Sequence, residues 1–251
     1  MIGPVPQAIH DWPLDAFVVI AAFTLAGVHV VSPAVRFSDE TARDRFLSLA
    51  GGVSVAYVFV HLLPELHAGT EVVGSDTALL GLLPERHIYV VALLGFVVFY
   101  GLERYVRCHW IPEDTEFPTT VFWFHVTSFA AYNALIGYLL VHRELGGAGS
   151  VLWFAVAMGM HFFVNDASLR YHHREVYRRI GRWVLAGAVL LGTLAGFGVD
   201  VGEQALMVMF AFLAGSVVLN AIKEELPEHR DSRFWSFTVG AGGYTALLVL
   251  V

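Results

Sequence analysis

Eight apolar segments, each close to the twenty residues a helix needs to cross the roughly 30 Å hydrocarbon layer of a bilayer, limit what this chain can become. Inside lipid the backbone has no water to bond, so such segments must fold as helices that satisfy their own peptide groups. They run over residues 14 to 32, 44 to 66, 87 to 106, 118 to 142, 149 to 171, 181 to 198, 203 to 225 and 233 to 251. Only 15% of the 251 residues are charged and 57% are hydrophobic, with a mean hydropathy of +0.63. A soluble domain needs about 25% charge for its surface, so the sequence reads as an all-α integral membrane protein of eight transmembrane helices. The connections are short, "CHWIPEDTEFP" among the longer, and the whole of 1–251 is expected to form one transmembrane domain. The opening "MIGPVPQAIHDWP" has no basic stretch, so no cleavable signal peptide is expected and the first segment counts as a span. Cys108 is the one cysteine, which excludes an internal disulfide.

Basic residues orient the spans, because Lys and Arg are retained on the cytoplasmic side. Of the 15, Arg86 and Arg143 fall in even-numbered loops; the others, from Arg36 through Lys223 to Arg233, follow spans one, three, five and seven. Both termini are therefore expected outside the cytoplasm, in the plasma or inner membrane. The net charge of −7 speaks against nucleic acid as a partner.

Spans two and seven carry similar stretches, "GVSVAYVFVHLLPE" at 52 to 65 and "GSVVLNAIKEELPE" at 215 to 228. Both open on Gly and close on Leu-Pro-Glu, and His61 falls opposite Glu224. Spans five apart cross in opposite directions, so the pattern predicts an inverted repeat relating helices 1–3 to 6–8, an architecture common in secondary transporters.

Polar residues interrupt this apolar frame most plainly in "GMHFFVNDASLRYHH", residues 159 to 173, which places His161, Asn165 and Asp166 within span five. Ionisable groups inside a bilayer are costly and often functional. His161 and Asn165 are four apart and share a helix face; Asp166 is turned about 140° from His161 and stands four before Arg170.

At this level of detail the chain resembles the ZIP (Zrt/Irt-like) family of divalent metal transporters. The resemblance rests on the eight spans with outward ends, "AGGVSVAYVFVHLLPELHAG" in span two, "AYNALIGYLL" in span four, and "MFAFLAGSVVLNAIKEELPE" with "FWSFTVGAGGYTALLVL" in spans seven and eight. It implies a ZIP-like bundle in which spans two, four, five and seven surround a path for Zn²⁺ or another divalent metal, working by alternating access, and a homodimer. The metal motifs depart from the family's. A His-Asn-x-x-Asp-Gly pattern in span four falls on Phe129, Ala130, Asn133 and Ala134. In span five, His-Glu-x-Pro-His-Glu falls on His161, Phe162, Val164, Asn165 and Asp166. Bridging carboxylates that neutralise two adjacent dications are lost, so the expectation becomes one metal, held by a remodelled set drawn from His161, Asn165, Asp166, His125 and Asn133. Counting depth from the cytoplasmic ends of spans four and five sets His125 level with Asn165 and Phe129 level with His161.

Each of these residues has a plainer reading. His161, Asn165, His125 and Asn133 can be hydrogen-bonding links between helices. Asp166 can pair with Arg170. His61 and Glu65 at one end of the path, and Glu224 at the other, either receive a cation or sit solvated at the interface. The tract "YHHREVYRRIGR" either binds metal through His172 and His173 or anchors in anionic lipid. Three functions follow: a transporter with the metal as cargo, a non-transporting relative that senses or binds a partner or lipid, and an intramembrane metal-dependent hydrolase, for which His125, His161 and an amide are a poor ligand set. The first is preferred. No enzyme activity, resident cofactor or nucleotide site is expected.

Overall fold

Long apolar runs must bury their backbones in helices, and seven helices make up the described residues, 14–68, 87–109, 119–142, 147–225 and 233–250, of the computed structural model. They are α1 (Leu14–Val31), α2 (Glu40–Ala68), α3 (His87–His109), α4 (Thr120–Val141), α5 (Gly147–Gly198), α6 (Glu203–Glu225) and α7 (Phe234–Leu250). Six of the seven are long and apolar enough to cross a membrane; α7, with 17 residues, is the shorter one. The outward faces carry large apolar side chains such as Phe23, Leu93, Leu191, Leu194 and Trp235, as lipid contact requires. The chain is an integral membrane protein.

Local chemistry sets several helix ends. Pro33 turns the end of α1 into a short 3-10 segment, Ser32–Ala34. Arg170 and Arg182 donate to the carbonyls of Ser32 and Val30 at that end, at 3.1 and 3.4 Å. The Asp39 carboxylate caps α2 by accepting from the Ala42 amide at 2.7 Å, and the Thr119 hydroxyl caps α4 by accepting from Phe122. Within α2 the turn at Val58–Leu62 is π-helical, just ahead of Pro64, whose ring cannot fit an unbroken ladder.

The architecture corrects the expectation of eight spans with an inverted repeat. Segments five and six are not parted by a loop: Gly147–Gly198 is one 52-residue helical run. The charges from Arg170 to Arg182 look like a loop by composition, yet Arg and Glu are good helix formers and no proline stands among them. The backbone leaves helical geometry at His173 (φ −138°, ψ 46°) and loosens to a π turn at Tyr177–Gly181. The first arm, Gly147–Val176, runs antiparallel to α4, with His173 beside His125 and His161 beside Tyr132. The second arm, Arg182–Gly198, runs parallel to α4, with Gly192 against Ala134 and Gly196 against Tyr138. The run is therefore a hairpin made without a loop. Counted as helices, the described residues thus hold seven, six of them long and apolar enough to cross a membrane, in place of the eight separate spans expected.

Glycines weld three pairs of helices. A methyl group built on Gly192 would meet the Ala134 carbonyl oxygen at 1.9 Å, and one on Gly137 the Val189 oxygen at 2.1 Å, joining α4 to the second arm of α5. Gly215 and Gly95 join α6 to α3 at 1.7 and 2.2 Å; Gly52 and Gly240 join α2 to α7 at 2.2 Å each. Backbones can approach this closely only where no side chain intervenes. Between the welded pairs, α2, α4, the first arm of α5 and α6 pack round one another, with α5 and α6 each touching the other three.

Candidate functional site

The interior holds a polar network that begins on α1. His29 is fully buried, and its Nδ1–H donates to Asp166 Oδ1 on α5 at 2.8 Å. The Ser32 hydroxyl donates to the other oxygen of the same carboxylate at 2.5 Å. From α4 the Asn133 amide donates to His29 Nε2 at 2.9 Å, which fixes the tautomer with the proton on Nδ1. The Phe162 ring lies 4.4 Å from the His29 ring. Asp166, expected either as a ligand or as Arg170's partner, makes its short contacts with His29 and Ser32, while Arg170 bonds the Ser32 carbonyl.

A second cluster starts from the adjacent residue of α4. The Tyr132 hydroxyl and the Asn165 amide both donate to His161 Nε2, at 3.0 and 2.9 Å. His161 and Asn165 thus share one face of α5, as their spacing implied. Tyr132 and Asn133, consecutive in sequence, tie the two clusters together. Three atoms in this region, His161 Nδ1, Asn165 Oδ1 and Asn133 Oδ1, are buried without a hydrogen-bond partner among the described residues. Each such orphan costs about 1–3 kcal/mol unless something else satisfies it.

His125 stands apart from that site. Its Nδ1 is 3.3 Å from His173 Nε2, and its Nε2, buried and unpartnered, points at Glu103 Oε2 3.9 Å away. Level with His173 rather than Asn165, it lies about two turns from the depth that counting from span ends gave. The count failed because α5 continues helically beyond residue 171, so the two spans do not end at the same level. Glu103 of α3 also accepts from Lys223 Nζ of α6 at 2.7 Å and from Arg107 Nε at 3.4 Å, and the Lys223 ammonium sits 5.6 Å above the Phe129 ring. This ammonium, 7% exposed, supplies a positive charge beside His125 that would repel a dication.

The outlying candidates lie away from these clusters. His61 and Glu65 face each other at 3.9 Å, each about one-third exposed, near the end of α2. Glu224 lies in the last turn of α6, and its side chain falls outside the described residues. Among the described residues no group of three or more His, Cys, Asp or Glu is arranged to hold a metal ion. Sequence reasoning passed over His29, Ser32, Tyr132, Glu103 and Lys223. The signal for His29 was the one that singled out His161, an imidazole within an apolar run, "LAGVHVV".

No protein-family model matches the chain, and no curated protein matches it either.

Proposed function

We propose that the protein is a membrane transporter whose cargo is a divalent transition-metal ion, bound at one site on His161, Asn165 and Asn133 beside the His29–Asp166 pair. The observation that carries this reading is the set of three unpartnered donor atoms, His161 Nδ1, Asn165 Oδ1 and Asn133 Oδ1, buried among the packed helices. Imidazole nitrogen suits Zn²⁺ and its neighbours, and amide oxygen suits the harder Mn²⁺. Nδ1 presents its lone pair once Nε2 carries the proton and donates to Tyr132, a tautomer in which the Asn165 amide gives up its own bond to Nε2. One ion is proposed because Asp166 is the carboxylate of this network, whereas Glu103 is neutralised by Lys223. The activity is movement of an ion and no covalent step, as the resemblance to ZIP transporters implies. The Arg-rich end, where α1 meets the bend of α5, faces the cytoplasm.

A second reading has a specific observation in its favour. His161 Nε2 already accepts two hydrogen bonds, and Lys223 and Glu103 neutralise each other near His125, which fits a non-transporting bundle that keeps a polar core for structure alone. Uptake by purified protein in proteoliposomes separates the two, with Zn²⁺, Cd²⁺, Fe²⁺ and Mn²⁺ each tried. The transporter reading expects saturable uptake of at least one, abolished in the His161→Ala, Asn165→Ala double variant. No uptake of any of the four by folded protein overturns it in favour of the structural reading.

A further inference from the structure

Beyond the buried site, the Arg-rich end holds a cavity of about 1180 Å³ between the α1–α2 connection and the bend of α5. Four arginines line it: Arg43 from α2 and Arg170, Arg174 and Arg178 from α5. Its other wall is apolar, with Phe37 and Leu47 among the lining side chains. Three carboxylates also line it, and two of them are engaged. Asp39 caps α2, and Glu175 holds Arg178 at 2.7 Å. Glu40 is the third. Arg43 is shared with Asp44 at 3.2 Å. Arg170 uses Nη1 on the Ser32 carbonyl and leaves its buried Nε unpartnered.

Guanidinium groups that converge from two helices repel a metal ion, so this cavity is no vestibule for a cation. They fit an anion with several oxygens, for which Arg offers planar paired donors. The apolar wall beside them fits the glycerol and first methylenes of a lipid, which a free anion does not have. We propose that the cavity binds the phosphodiester headgroup of an anionic phospholipid from the cytoplasmic leaflet, with Arg174 and Arg43 on the phosphate and Phe37 and Leu47 against the chain. The bound lipid would bear on Arg170, and through Ser32 on the Asp166 carboxylate.

Thermal unfolding of the purified full chain in a zwitterionic detergent tests this, with short-chain phosphatidylglycerol, short-chain phosphatidylcholine or inorganic phosphate added. Saturable stabilisation by phosphatidylglycerol alone is expected, with its midpoint shifted about tenfold to higher concentration in Arg43→Ala, Arg174→Ala. The pair Arg36→Ala, Arg45→Ala removes equal charge from exposed positions outside the cavity and should leave the midpoint unchanged. Equal stabilisation by inorganic phosphate overturns the lipid assignment. An equal shift in the control pair, or no stabilisation by phosphatidylglycerol, overturns the site. Because the readout is unfolding, it is independent of whether any metal is transported.

Discussion

His29 and Asp166 are 137 positions apart in the chain and 2.8 Å apart in the fold, with no exposed surface on either. The contact fastens α1 to α5 in the apolar interior, where a carboxylate without its partners has no water to turn to. Removing the hydrogen-bond partner of a buried polar group typically costs about 1–3 kcal/mol, more where the group is charged. His29→Ala should lose stability on that scale, because one oxygen of the buried Asp166 carboxyl group loses its donor. The double variant His29→Ala, Asp166→Asn should be less destabilised than the sum of the two single changes, by more than about 1 kcal/mol of coupling. Unfolding of the four proteins in detergent checks it; strict additivity would mean the contact carries no energy.

Lys223 and Glu103 form a second buried pair, between α6 and α3. Lys223→Met strands the Glu103 carboxylate and should destabilise by about 3–5 kcal/mol, while adding Glu103→Gln should recover most of that loss. Lys223→Arg keeps the charge and should cost less than Lys223→Met. The same unfolding series decides it.

The glycine seams predict sharply position-dependent effects. Gly192→Ala would force a methyl into the Ala134 carbonyl, and Gly215→Ala one into Ala92, so each should destabilise by about 1–3 kcal/mol or more. Gly187, on the same arm as Gly192, has open space around its hypothetical methyl. Gly187→Ala should be neutral or stabilising by up to about 1 kcal/mol, since Ala is the better helix former. Expression level and melting temperature of the three variants test the contrast.

Cys108 is exposed near the end of α3, beside Arg104 and Arg107. If the basic end faces the cytoplasm, a membrane-impermeant maleimide should label it in inside-out vesicles and leave it unmodified in intact cells. The reverse pattern would invert the proposed orientation.

The periodicity and polarity of single segments were legible in the sequence, because a span must be apolar and a shared face needs only a four-residue spacing. His161 with Asn165 is the case in point. Relations between segments were legible only in part: the family resemblance grouped spans two, four, five and seven, which do pack round one another, but their registers were not legible. His125 was set level with Asn165 by counting from span ends, whereas α5 continues through its arginines and brings His173 beside it; the same count put Phe129 level with His161, where Tyr132 sits. Lys223 reads as one more cytoplasmic charge by position, but α3 and α6 both extend far enough to bury it with Glu103. His29 carried a signal as clear as His161's, yet its partner Asp166 lies on a distant segment that only packing brings near.

The glycine seams also constrain how such a body can move. Two helices in carbonyl contact, with no side chains between them, have no lubricating layer; sliding by even one residue's rise of about 1.5 Å would drive a peptide group into a neighbour. The mechanical units are then doublets: α4 with the second arm of α5, α3 with α6, and α2 with α7. The hinges available to the molecule are the side-chain-filled boundaries around the doublets, where Tyr132 meets His161 of the first arm and where Lys223 reaches across to the His125 side.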